Sequence, residues 1–134
     1  MLTLYNLYKE IILEAINRND ILTSMDRNRV VKIYYKGDET INAGYRFIQP
    51  YVLGLSKSGN PVIRAYQLKG VTDTITPGWK LFRVDKIGSW VNQKKWYFRQ
   101  PISDRVPGVP KFNPNGDKSM IKVDKIVNFD KFKK

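Results

Sequence analysis

A mainly β chain of the α+β class is predicted by three observations. Helical periodicity is confined to the N-terminus, five short β-branched or aromatic runs follow it, and clusters of turn residues separate the runs. The expected architecture is an N-terminal helix packed on a small, strongly bent antiparallel barrel, followed by an extended C-terminal tail. The corresponding boundaries are 1–27 for the helix and its connection, 28–99 for the barrel, and 100–134 for a proline-containing basic extension.

Leu4, Leu7, Tyr8, Ile11 and Ala15 fall at helical spacing, with Tyr5, Ile12 and Ile16 widening the stripe, so 2–17 reads as an amphipathic helix. Asn17-Arg18-Asn19-Asp20, poor helix formers, are expected to end it. Val30 to Tyr35 reads as the first strand, stopped by Lys36-Gly37-Asp38. Tyr45 to Leu55 is the second, and Pro50 inside it marks an edge, a bulge or a bend, because proline brings no N–H to a ladder. Ser56 to Asn60 is a hairpin loop returning into Val62 to Leu68. Lys69 to Gly78 is a longer loop, Trp79 to Val84 a fourth strand, and Ser89 to Asn92 a short fifth one after the turn at Asp85 to Gly88. Four of the seven prolines lie between 100 and 118, which reads as an extended connection and not a second core. Met120 to Val127 has the composition of one more strand, and Lys131 to Lys134 forms a basic end.

The chain of 134 residues carries 24 Lys and Arg against 12 Asp and Glu, a formal charge of +12. The excess is uneven: residues 1–43 are neutral overall, 44–92 carry +5, and 93–134 carry +7. A one-sided basic field of this kind concentrates polyanions at the surface. Cysteine and histidine are absent, which removes thiolate and imidazole metal sites, Cys nucleophiles, disulfides and Ser-His-Asp triads. No GxxxxGK[ST] or GxGxxG loop occurs, and no carboxylate pair has acid/base or metal-ligand spacing. No enzyme, catalytic residue, metal or cofactor is expected. The longest apolar stretches fall far short of a membrane span, and the N-terminus lacks the features of a signal peptide. A cytoplasmic protein without membrane contact is expected.

Strand alternation sorts the chemistry-bearing residues onto faces. Ile63 and Ala65 match Phe82 and Val84 as an interior, which gathers Arg64, Tyr66, Trp79 and Arg83 on the opposite side. Guanidinium groups interleaved with rings suit single-stranded nucleic acid, since cations follow phosphates and any base stacks on a flat ring. The same mixture suits a single nucleotide, and the rings are equally suited to packing under arginine stems. In Lys94-Lys95-Trp96-Tyr97-Phe98-Arg99, consecutive residues point to both sides of a strand, so at least one of the three aromatics is expected to be buried.

Residues 28–92 resemble a WYL domain, the small Sm- or SH3-like barrel of many bacterial regulators and of some phage and defence proteins. The resemblance lies in three segments: Tyr45-Arg46-Phe47-Ile48-Gln49-Pro50-Tyr51-Val52-Leu53, Gly59 to Tyr66, and Trp79-Lys80-Leu81-Phe82-Arg83-Val84-Asp85-Lys86-Ile87. Pro61, Val62 and Ile63 stand where the family has Trp-Tyr-Leu, and Lys80 and Lys86 replace arginines, losing the planar fork that grips phosphate at two points. The resemblance implies binding of nucleic acid or a nucleotide-like anion through a basic groove, with Arg46, Lys80, Arg83 and Lys86 as contacts. The helix-turn-helix that normally precedes such a barrel has no counterpart in residues 1–27, so no operator-reading role is expected.

The two lines of reading nominate Arg46, Arg64, Tyr66, Trp79, Lys80, Arg83 and Lys86 as one binding face for single-stranded nucleic acid, in a regulatory module of a bacterial cell or phage-infected host. The alternative is a phage accessory or virion protein whose barrel is a scaffold and whose basic tail docks on an acidic protein.

Overall fold

The computed structural model of the chain describes residues 18–70 and 77–133. The helix predicted over 2–17 lies outside the described residues, as does most of the loop predicted at Lys69 to Gly78. Residues 18–26 are helical (α1) where the sequence reading places the end of a helix and a polar connection. Ile21 and Met25, one turn apart, are both buried in the main apolar cluster, and this packing outweighs the weak propensity of the Asn and Asp around them. Helix α1 stops at Asn28, whose left-handed backbone (φ 50°) is a conformation that asparagine tolerates at a helix end.

Among the described residues six strands follow the helix. They are β1 (Arg29–Tyr35), β2 (Gly44–Ser56), β3 (Pro61–Gly70), β4 (Gly78–Arg83), β5 (Ile87–Tyr97) and β6 (Met120–Ile126). A 3-10 turn (Val84–Lys86) links β4 to β5, a one-turn helix α2 (Ile102–Arg105) opens the extension, and a second 3-10 turn (Asp130–Phe132) closes it. All pairings are antiparallel, in the order β4-β3-β2-β1-β5, with β6 added to β2. The α+β class is as predicted. Among the described residues nothing pairs β4 with β5, so the sheet is open where a closed barrel was expected. Strand β5 is much longer than the predicted Ser89 to Asn92 and takes in Trp96 and Tyr97.

Strand β2 is the spine of the sheet, and Pro50 explains its division. One edge pairs with β3 along its length, with a register shift between Pro50 and Val52. The other edge pairs with β1 up to Ile48 and with β6 from Val52 onward. Pro50 falls between these two partners on that edge and at the register shift on the β3 edge. The Tyr51 carbonyl beside it accepts the N–H of Val127 at 2.8 Å.

Both faces of the sheet are apolar. The inner cluster joins Ile21 and Met25 of α1 to Val31, Ile33, Tyr35, Ile48, Ile63, Ala65 and Phe82, so the predicted interior is found. The outer cluster joins Val30, Tyr51, Val62 and Tyr66 to Phe98, Ile102, Met120 and Val127, with Phe112 and Phe129 packed against it. The extension therefore contributes to a second apolar cluster, which corrects its reading as a bare connection. A sheet with two apolar faces needs two covers, and the extension is the second.

Candidate nucleic-acid interface

The seven nominated residues do not form one exposed face. Arg46 is the clearest correction: it is 2% exposed, inside the inner cluster. Its Nη1 donates to Gln67 Oε1 at 2.8 Å and its Nη2 to the Asn42 carbonyl at 2.5 Å, while its guanidinium carbon lies 5.8 Å from the Tyr35 ring and 5.6 Å from the Phe82 ring. Nε has no partner. Burial holds this guanidinium below its ordinary pKa, against the opposing effects of Tyr35 and Asp38. Its guanidinium is enclosed by the inner cluster and lies off the exposed face nominated for it.

Arg64, Tyr66 and Trp79 do come together on the outer face, as alternation predicts, but the extension lies over them. Arg64 Nε donates to Asp117 Oδ2 at 2.8 Å, and its Nη2 reaches Asp117 Oδ1 at 3.3 Å and Ser119 Oγ at 3.1 Å. Burial alone raises the Asp117 carboxyl, but the Arg64 bond and charge and the Ser119 N–H outweigh it, so its pKa falls below the ordinary value. Trp79 Nε1 donates to the Pro110 carbonyl at 2.8 Å. Tyr66 is buried, edge-on to Trp79 with ring centroids 5.4 Å apart. Tyr51 is the hub beneath, with ring centroids 4.7 Å from Trp79, 4.9 Å from Phe112 and 5.3 Å from Phe98. A cleft of about 470 Å³ remains beside Arg64 and Trp79, walled by Lys111, Phe112, Asp117 and Lys118 of the extension.

The other three lie apart. Lys80 is out of phase with Trp79 and Leu81 on β4 and belongs to the opposite face. Arg83 shares the predicted face, but its guanidinium is committed to Asp85 through bonds of 3.0 and 2.7 Å. Lys86 sits in the 3-10 turn, where its carbonyl accepts the Lys36 N–H at 2.7 Å.

Among the described residues, the extension leaves uncovered the other half of the outer face, over β1, the start of β2 and β5. Tyr34 and Tyr45 are cross-strand partners with ring centroids 4.8 Å apart. Lys32 is paired with Phe47 in register, and its Nζ lies 5.2 Å from the Tyr45 ring and 5.9 Å from the Phe47 ring. Phe47 meets Trp96 of β5 at 5.5 Å. Tyr45 is 48% exposed and Trp96 41%. Of the Trp96-Tyr97-Phe98 run, Phe98 alone is buried, which meets the expectation that at least one would be. Strands β1, β2 and β5 contain no Asp or Glu, while Lys94 and Lys95 stand exposed beside Trp96. Sequence reasoning did not nominate Lys32, Tyr34, Tyr45 or Phe47. The signal was present, because the alternation of Lys32 with Tyr34, and of Tyr45 with Phe47, precedes Pro50 and is unaffected by the shift there.

Fold and surface thus define a small α+β module whose open antiparallel sheet carries one covered and one uncovered aromatic half. No protein-family model matches the sequence, and no curated protein matches it. Among solved structures, proteasome accessory factor B/C (PafBC) of Arthrobacter aurescens is similar, with a TM-score of 0.51 and 17% identity over 74% of this chain. The present chain spans 13% of the length of that one. The likeness is one of fold. Among the described residues no helix is long and apolar enough to cross a membrane.

Proposed function

We propose that the protein is a non-enzymatic binding module that holds single-stranded nucleic acid on the uncovered face of β1, β2 and β5. The carrying observation is the placement of Lys32 over the rings of Tyr45 and Phe47, next to a half-exposed Trp96, on three strands without a carboxylate. Rings offer stacking surface to any base, and the lysines supply phosphate neutralisation, so sequence preference is weak and salt dependence strong. The likeness to PafBC is one of fold, and the regulatory setting is part of this proposal.

Titration of the full chain with a labelled twelve-residue oligothymidylate tests this reading. Trp96→Ala and Tyr45→Ala should each weaken binding by about five- to 100-fold, the worth of one stacked base. Affinity unchanged between low and physiological salt, or unaffected by Trp96→Ala, overturns it. Equal competition by polyglutamate, which has charge but no bases, would assign the surface to an acidic protein instead.

A further inference from the structure

We infer that Arg64 is a second phosphate site of this module, held in the free protein by the chain's own Asp117, so that the extension competes internally with a bound strand. This rests on the reading of the β1–β2–β5 face as the strand-binding surface.

A guanidinium fork grips a carboxylate and a phosphate with the same two-point geometry. Asp117 occupies that fork through both of its oxygens. Around it stand the other groups a nucleotide unit needs: the rings of Trp79 and Phe112 as walls of the 470 Å³ cleft, and Lys111 and Lys118 at its margin. Both lysines are exposed, and neither has an ion-pair partner among the described residues.

The turn that carries Asp117, residues 113–119, can give way while Phe112 stays packed against Tyr51. Between α2 and β6 it contributes no strand to the sheet, and most of residues 105–118 are exposed. Among the described residues its polar anchors to the sheet are the Arg64 contacts, and the Trp79–Pro110 bond holds the chain just before it. Strand β6 beyond it is held separately by its ladder with β2, so release of the segment leaves the sheet paired.

The test is Asp117→Asn, which removes the charge and keeps the shape. Oligothymidylate binding should tighten by up to about fivefold, the value of one partly screened ion pair. The slope of log affinity against log salt should steepen by about 0.7, one added phosphate contact on a single strand. Arg64→Gln in the Asp117→Asn background should abolish both gains, and hydrogen exchange over 113–119 should quicken when the wild-type chain binds. Wild-type affinity and slope in Asp117→Asn, or weaker binding, overturn the inference. If wild-type binding still depends on Trp96, that outcome leaves the surface reading standing. Failure of both wild type and Asp117→Asn to bind sinks both readings. Binding by Asp117→Asn alone supports the competition.

Discussion

The hydroxyl of Tyr51 accepts the backbone N–H of Ile102 at 2.9 Å and donates to Gln49 Oε1 at the same distance. The bond joins the middle of β2 to the first turn of the extension at a buried point, so the cover and the spine share one polar contact beneath the aromatic cluster. Tyr51→Phe keeps the ring and strands both partners. The expected cost is about 1–3 kcal/mol, read as a lower urea midpoint, with exchange quickening first at the Ile102 amide.

Gly54 marks the closest approach of β6 to β2. A Cβ at this position would collide with the Lys122 carbonyl oxygen and lie 2.7 Å from Met120 Sδ. Backbone cannot yield as a flexible side chain can, so Gly54→Ala should cost about 1–3 kcal/mol and open the β2–β6 ladder selectively. Hydrogen exchange over 120–126 checks this, with β1 and β5 expected to keep their protection.

Arg46 separates a structural role from the contact role that the family resemblance implies. Arg46→Ala removes the stem packed near Tyr35 and Phe82 and should cost about 2–4 kcal/mol. Arg46→Met retains the stem and sheds a buried charge, so it should cost less than Arg46→Ala. Neither variant should change the oligonucleotide affinity of the folded protein, as measured by the titration used for Trp96.

Two carboxyls contribute to the acid sensitivity of the fold. Burial raises the Asp38 carboxyl, but hydrogen bonds from the Tyr35 hydroxyl, Thr40 and Ile41 outweigh it, so both Asp38 and Asp117 titrate below 3.8 in the folded chain. In the unfolded chain each titrates near 3.8, so the unfolded state binds protons first as pH falls. Their contribution is therefore fully present well above pH 4 and is lost as pH drops through the folded values. Thermal unfolding between pH 6 and pH 2.5 should show a falling midpoint, with a smaller fall in Asp117→Asn.

The sequence by itself determined the strand set, the break at Pro50 and the two faces of β3 and β4, because period-two alternation and proline's missing donor are local properties. Ile63, Ala65 and Phe82 lie inside for that reason, and Arg64, Tyr66 and Trp79 share the other face. Tertiary structure decided which part of that other face meets solvent. Asp117 is 53 positions from Arg64, and Pro110 is 31 from Trp79. Pairings at such separation follow from the extension burying its own apolar residues, which strand alternation does not encode. The burial of Arg46 has the same origin, since its position on β2 is legible but the inner cluster that closes around it is assembled from α1 and five strands. Tyr45 and Trp96 stay half exposed beside the part of the outer face that the extension covers, from Tyr51 along β6.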